Sequence, residues 1–162
     1  MITIEDNGKE KRQAVTIYVQ AGNITEANKT LQQSVSNLDC EVISKTTYRV
    51  GGVILTKERM LVSFEPRVLI RYTLVEAHSP TTLRLKPYLA FRSVHELTKE
   101  NSHANSDMRE VENGRANRMY DAYPELFMQC SKKVEYTHAP AWYKDIQYYK
   151  EQHKGVSSTR NF

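Results

Sequence analysis

Cysteine is nearly missing from this chain: there are two in 162 residues, Cys40 and Cys130, far apart and outside any CxxC pair or Cys/His cluster. That spacing excludes a ligand-pair zinc site and a disulfide framework, and leaves two buried free thiols as the expected state. Long apolar runs are missing too. No stretch approaches the eighteen or so consecutive apolar residues that cross a bilayer, and Met1 to Glu10 is polar and charged rather than signal-like, so the expected location is cytoplasmic, away from membranes. Charge of one sign is scarce: 23 Lys and Arg against 19 Asp and Glu leave +4, spread without a dense basic block. Nucleic acid is therefore not an expected partner. No GxSxG, P-loop or dinucleotide fingerprint is present, and His103 and His138 lack partners at metal-ligand spacing, so no metal and no cofactor is expected.

What is there reads as an ordinary globular chain, 40% hydrophobic and 26% charged. The first 44 residues carry strand, turn, strand, helix and strand signals in quick succession, a small ββαβ segment. Met1 to Glu5 reads as a short strand and Asp6-Asn7-Gly8-Lys9 as a turn. Val15, Ile17 and Val19 then alternate on one face of a second strand, so a hairpin is expected. Asn23 can cap a helix with Glu26 three residues on, and Ile24, Ala27, Leu31, Val35 and Leu38 recur at helical spacing. Cys40 to Ile43 follows as a strand.

From Thr46 the period changes to two, as in an antiparallel all-β region. Gly51-Gly52 marks a tight bend or bulge, and Arg59 to Phe64 a further strand. In Val68 to Ala77 one face carries Val68, Ile70, Tyr72 and Leu74, and this strand is expected to pair through His78-Ser79-Pro80 with Thr82 to Phe91. Residues 93–123 are polar and read as a long surface loop. Glu125 to Cys130 and Lys133 to Thr137 read as another hairpin, Trp142 to Tyr149 as an aromatic-rich segment, and residues 154–162 as a flexible tail.

Several of these runs carry a resemblance. Asp39-Cys40-Glu41-Val42-Ile43, Thr47 to Val53, Arg67 to Leu74, Leu85-Lys86-Pro87-Tyr88-Leu89-Ala90-Phe91-Arg92-Ser93-Val94-His95-Glu96-Leu97-Thr98, Tyr123-Pro124-Glu125-Leu126 and Trp142-Tyr143 with Glu151 fall in one order. Together they resemble the N-terminal β-sandwich domain of bacterial glycogen debranching enzymes over about residues 38–153. The resemblance implies a mainly β, α+β fold, a partial antiparallel β-sandwich over residues 45–153 behind the ββαβ segment. It also implies a glycogen-like α-glucan, or a catalytic (α/α)-barrel domain carrying the acid and base carboxylates, as partner. The 162 residues end before such a barrel, so no catalytic residue is expected and the role implied is non-catalytic and carbohydrate-contacting. Gln13 to Ser36 resembles, more loosely, the C-terminal half of a short bacterial family of uncharacterised proteins. The chain thus reads as two pieces joined near Leu38 to Glu41.

Five residues are candidates for carbohydrate or interdomain contact. Arg92 offers bidentate donors and a neutral His95 can donate and accept at once, which suits sugar hydroxyls; equally, Arg92 can pair with Glu96 or Glu100 and His95 simply pack. Tyr123, Trp142 and Tyr143 offer flat faces to a pyranose, although aromatics also fill cores and interfaces. Glu96, Glu100, Asp107, Glu110, Glu112, Asp121 and Glu125 supply carboxylates without the fixed pair a glycosidase needs, as a solvated acidic loop would. A structural or interaction module without sugar affinity, and a stand-alone glycosidase, are the other readings.

Overall fold

Two adjacent glycines turn the chain where an ordinary residue would be strained. Gly51 and Gly52 have φ of 56° and 78°, the left-handed pair that a two-residue hairpin turn requires. They join β3 (Cys40–Val50) to β4 (Val53–Val62), so the expected bend is the tip of a long hairpin. In the computed structural model the described residues are 2–4, 13–33, 35–93, 98–144, 146–147 and 159–160. The remaining elements are β1 (Ile2–Ile4), β2 (Gln13–Gly22), α1 (Ile24–Gln32), β5 (Arg67–Glu76), β6 (Thr81–Leu83), β7 (Arg109–Val111), β8 (Gly114–Asn117), β9 (Glu125–Cys130), β10 (Ile146–Gln147) and β11 (Thr159–Arg160).

A seven-stranded antiparallel sheet in the order β3-β4-β5-β2-β9-β8-β7 dominates, with β1-β6 and β10-β11 as separate two-stranded ladders. The mainly β, antiparallel expectation holds. β2 lies at the centre, Val15 opposite Tyr72 and Ile17 opposite both Ile70 and Cys130. Residues 13–22 therefore share one sheet with the strands after residue 45, and the boundary expected between residues 44 and 45 falls inside β3.

Three expected hairpins are not formed, for a common reason: alternation tells which face a residue takes but not which strand lies alongside, and an interior strand has only two edges. β1 pairs with β6, Ile2 opposite Leu83, and not with β2. β5 is flanked by β4 and β2, so the segment after Pro80 contributes only Thr81–Leu83 and then runs on without a ladder. β9 is flanked by β2 and β8, and residues 133–137 form no strand. The loop expected at 93–123 is corrected as well, because it contains the β7-β8 hairpin that completes the sheet. Gly114 permits that docking: a Cβ there would stand 2.0 Å from the Met128 carbonyl oxygen.

The sheet is covered on both faces. On one, α1 and the 3-10 turn Val35–Asn37 bring Leu31, Val35 and Leu38 onto Tyr18, Met60, Val62 and Leu69, while Ala27 meets Ala116 and Phe127. Asn23 caps α1 as expected, its Oδ1 accepting from the Glu26 amide at 3.0 Å. Polar groups under the helix are paired: Gln20 Oε1 accepts from Thr30 Oγ1 and from Arg67 Nε, both at 3.1 Å, and Gln129 Nε2 donates to Asn28 Oδ1 at 3.0 Å. On the other face Val15, Tyr72 and Cys130 lie under Leu83, Leu85 and Val134, so that layer is made of the β1-β6 ladder and chain without strands. Cys130 is buried and Cys40 half-buried, both as free thiols. Among the described residues no helix is long and apolar enough to cross a membrane.

Candidate functional site

Beyond β6 the chain has no strand partner, and its side chains are placed by what the later segments bring to them. Pro87, which has no amide hydrogen to donate to a ladder, is followed by Tyr88, whose ring meets that of Tyr143 edge-on, centroids 5.1 Å apart and planes at 66°. Three residues on, Phe91 meets Tyr123 at 6.4 Å and 87°, and Tyr123 lies against Tyr120 at 6.2 Å. Asn101 Nδ2 donates to the Tyr120 hydroxyl at 3.0 Å, and its neighbour Glu100 is ion-paired with Lys144, next to Tyr143. These contacts close a circuit through four chain segments, at 88–91, 100–101, 120–123 and 143–144.

The circuit is held to the sheet by asparagines. Asn117, a buried residue of β8, donates through Nδ2 to the carbonyls of Asn105 at 3.1 Å and Asp107 at 2.8 Å. Asn101 and Asn105 each close a local turn, accepting from the amides of His103 and Asp107. The Asn105 amide donates to the Met119 carbonyl at 2.9 Å, tying the segment to the approach to Tyr120.

Of the sequence candidates, Tyr123 and Tyr143 fall on the circuit. Arg92 is half-buried beside Phe91 and donates through Nη1 to the Ser93 carbonyl at 3.2 Å. Trp142 is half-buried next to Tyr143. His95 lies outside the described residues. Tyr88, Phe91, Asn101 and Lys144 were not singled out as site residues by sequence reasoning, and Glu100 only as a loop carboxylate or a partner for Arg92; the signal that could have found the first two is their place in an aromatic stretch around Pro87. Among the described residues of the acidic loop set, Glu100 is ion-paired with Lys144, Glu110 with Arg115, and Glu125 with Nε and Nη2 of Arg109. Pairing with the Glu125 carboxylate raises the pKa of Arg109 above its ordinary value. An open recess of about 350 Å³ sits at the β3-β4 tip, lined by residues 49–54 and Glu76, and a smaller one of about 100 Å³ lies between Leu55, Leu74 and Leu83; neither shares a residue with the circuit.

Chemically the circuit offers flat apolar faces flanked by an amide, phenol hydroxyls and a paired ammonium and carboxylate. A group with an apolar face and a rim of hydroxyls fits such a surface. The family model described as glycogen debranching enzyme, N terminal, matches residues 4–161 of the chain. That span takes in residues 13–36, expected to resemble a different family. No curated protein and no solved structure matches.

Proposed function

Because the chain belongs to the glycogen debranching enzyme N-terminal family, we propose that it is a non-catalytic accessory domain that contacts an α-glucan of the glycogen type and supports a catalytic (α/α)-barrel partner domain, in the cytoplasm. The observation that carries the reading is the circuit of aromatic and hydrogen-bonding side chains from four separate segments. Tyr123 and Tyr143 supply rings, Arg92 lies beside Phe91, and Trp142 reports on the site. Titration of the chain with maltooligosaccharide, followed by the fluorescence of its single tryptophan, is the test. A saturable change is expected, and no response at millimolar sugar would count against direct contact.

A second reading, an interaction module without sugar affinity, is favoured by the outer strand β3, where Val42, Ile43, Tyr48 and Val50 are exposed. A long edge strand with exposed apolar side chains is open to further strand pairing. Silence in the sugar titration together with concentration-dependent self-association in sedimentation would favour that reading.

A further inference from the structure

We propose that Tyr88 and Tyr143 form the glucan-binding corner of the circuit, and that the angle between them selects a bent, α-linked chain over a flat, β-linked one. The inference rests on the proposed α-glucan contact and goes further by assigning the residues that make it and the geometry that sets the preference for a bent chain. The two rings differ from the other rings of the circuit in exposure: Tyr88 and Tyr143 are 66% and 55% exposed, whereas Phe91, Tyr120 and Tyr123 are half-buried. The half-buried rings hold the segments together. The exposed ones leave apolar area in water that a ligand can cover.

Their mutual geometry narrows the ligand. With planes at 66° and centroids 5.1 Å apart, the rings form two walls of a corner and not a level platform. A β-1,4 glucan is a flat ribbon whose successive rings lie nearly in one plane, so it stacks on coplanar aromatics. An α-1,4 glucan coils, and each ring is inclined to the one before. One glucose unit can then lie on the face of one tyrosine while the next turns against the other. The Lys144 ammonium and Glu100 carboxylate beside Tyr143 give donors and acceptors to the hydroxyl rim.

The test is an NMR titration of the full 162-residue chain with maltoheptaose and, separately, cellohexaose. It is run on the wild type and on Tyr88→Ala, Tyr143→Ala, Tyr88→Phe and Tyr143→Phe. Maltoheptaose is expected to bind at least about fivefold more tightly than cellohexaose. Each alanine variant is expected to weaken maltoheptaose binding about fivefold to tenfold, the range of one aromatic contact, and each phenylalanine variant to stay within about twofold, since the ring is what stacks. Thermal melts matching the wild type show that the alanine variants are folded. If the wild type binds maltoheptaose while the alanine variants bind it as tightly, or while cellohexaose binds equally well, the corner is overturned and the wider glucan reading stands. If the wild type binds neither sugar, both fall.

Discussion

The helix-covered face of the sheet and the circuit of loops both gather apolar side chains and treat them in opposite ways. Under α1, Leu69 and Phe127 are 0% and 1% exposed, Thr30 donates to Gln20, and Gln129 donates to Asn28 and to the Glu112 carbonyl. In the circuit the rings meet in pairs, edge-on or tilted, and the polar contacts that tie the segments together come from hydrogen-bonded asparagines and one exposed ion pair. The difference assigns the two regions different tasks. Burial of apolar area scales with stability, so the first region holds the fold, while the second keeps aromatic faces available at little cost to it.

Removing the largest fully buried side chain should have the largest effect. Phe127 lies between Ala27 of α1 and Ala116 of β8, so Phe127→Ala leaves a cavity that neither small neighbour can fill. A loss of about 3–5 kcal/mol is expected, read as a lower denaturant midpoint with an unchanged slope. A loss below about 1 kcal/mol would show that α1 collapses onto the sheet and that the helix face is no better packed than the loops.

How far these two regions were legible in the sequence follows from how local their causes are. α1 was readable because its cap, Asn23 with the Glu26 amide, and its apolar spacing lie within a few residues. The faces of β5 were readable because alternation is local too. Strand partners were not, since Thr82 to Phe91 alternates as well as any strand, yet β5 already had β4 and β2 on its edges. β8 was invisible for another reason: it is buried through Gly114, Ala116 and Asn117, small or polar residues that read as loop, and Gly114 is there because the Met128 carbonyl leaves no room for a Cβ. In the circuit, Tyr123 and Tyr143 stood out as aromatics. Tyr88 and Asn101 did not, and Glu100 was readable as a loop carboxylate but not as the partner of Lys144, because their partners lie in distant segments and no periodicity links them.

An intermediate effect is expected at Cys130, which tests whether the loop layer keeps water out as the helix does. Its thiol is pushed up to about 11 from 9.0 by burial, with Leu83, Leu85 and Val134 above it. The folded state thus resists ionisation that the unfolded chain undergoes. Below about pH 9 the contribution is fully present; between about pH 9 and 11 it is lost as the unfolded thiol gives up its proton, on the order of 2 kcal/mol in all. Urea midpoints of wild type and Cys130→Ala should therefore converge as pH rises through that window. Parallel pH profiles would mean that water reaches the thiol and that the strandless layer is loose.

The smallest effect on stability is expected at Lys144, and its smallness is the informative part. Lys144 and Glu100 are 49% and 47% exposed, so their attraction is screened by water and offset by the entropy of holding two long side chains. Lys144→Ala should cost no more than about 1 kcal/mol, or a few degrees in the melting temperature for a chain of this length. The ion pair is nonetheless the link that joins the 100–101 segment to the 143–144 segment, so opening it should broaden or shift the NMR signals of the Tyr143 and Tyr120 rings while those of Phe127 stay in place. If Lys144→Ala lowered the melting temperature as far as Phe127→Ala, the circuit would be part of the folding core and its aromatic faces could not be held in reserve for a ligand.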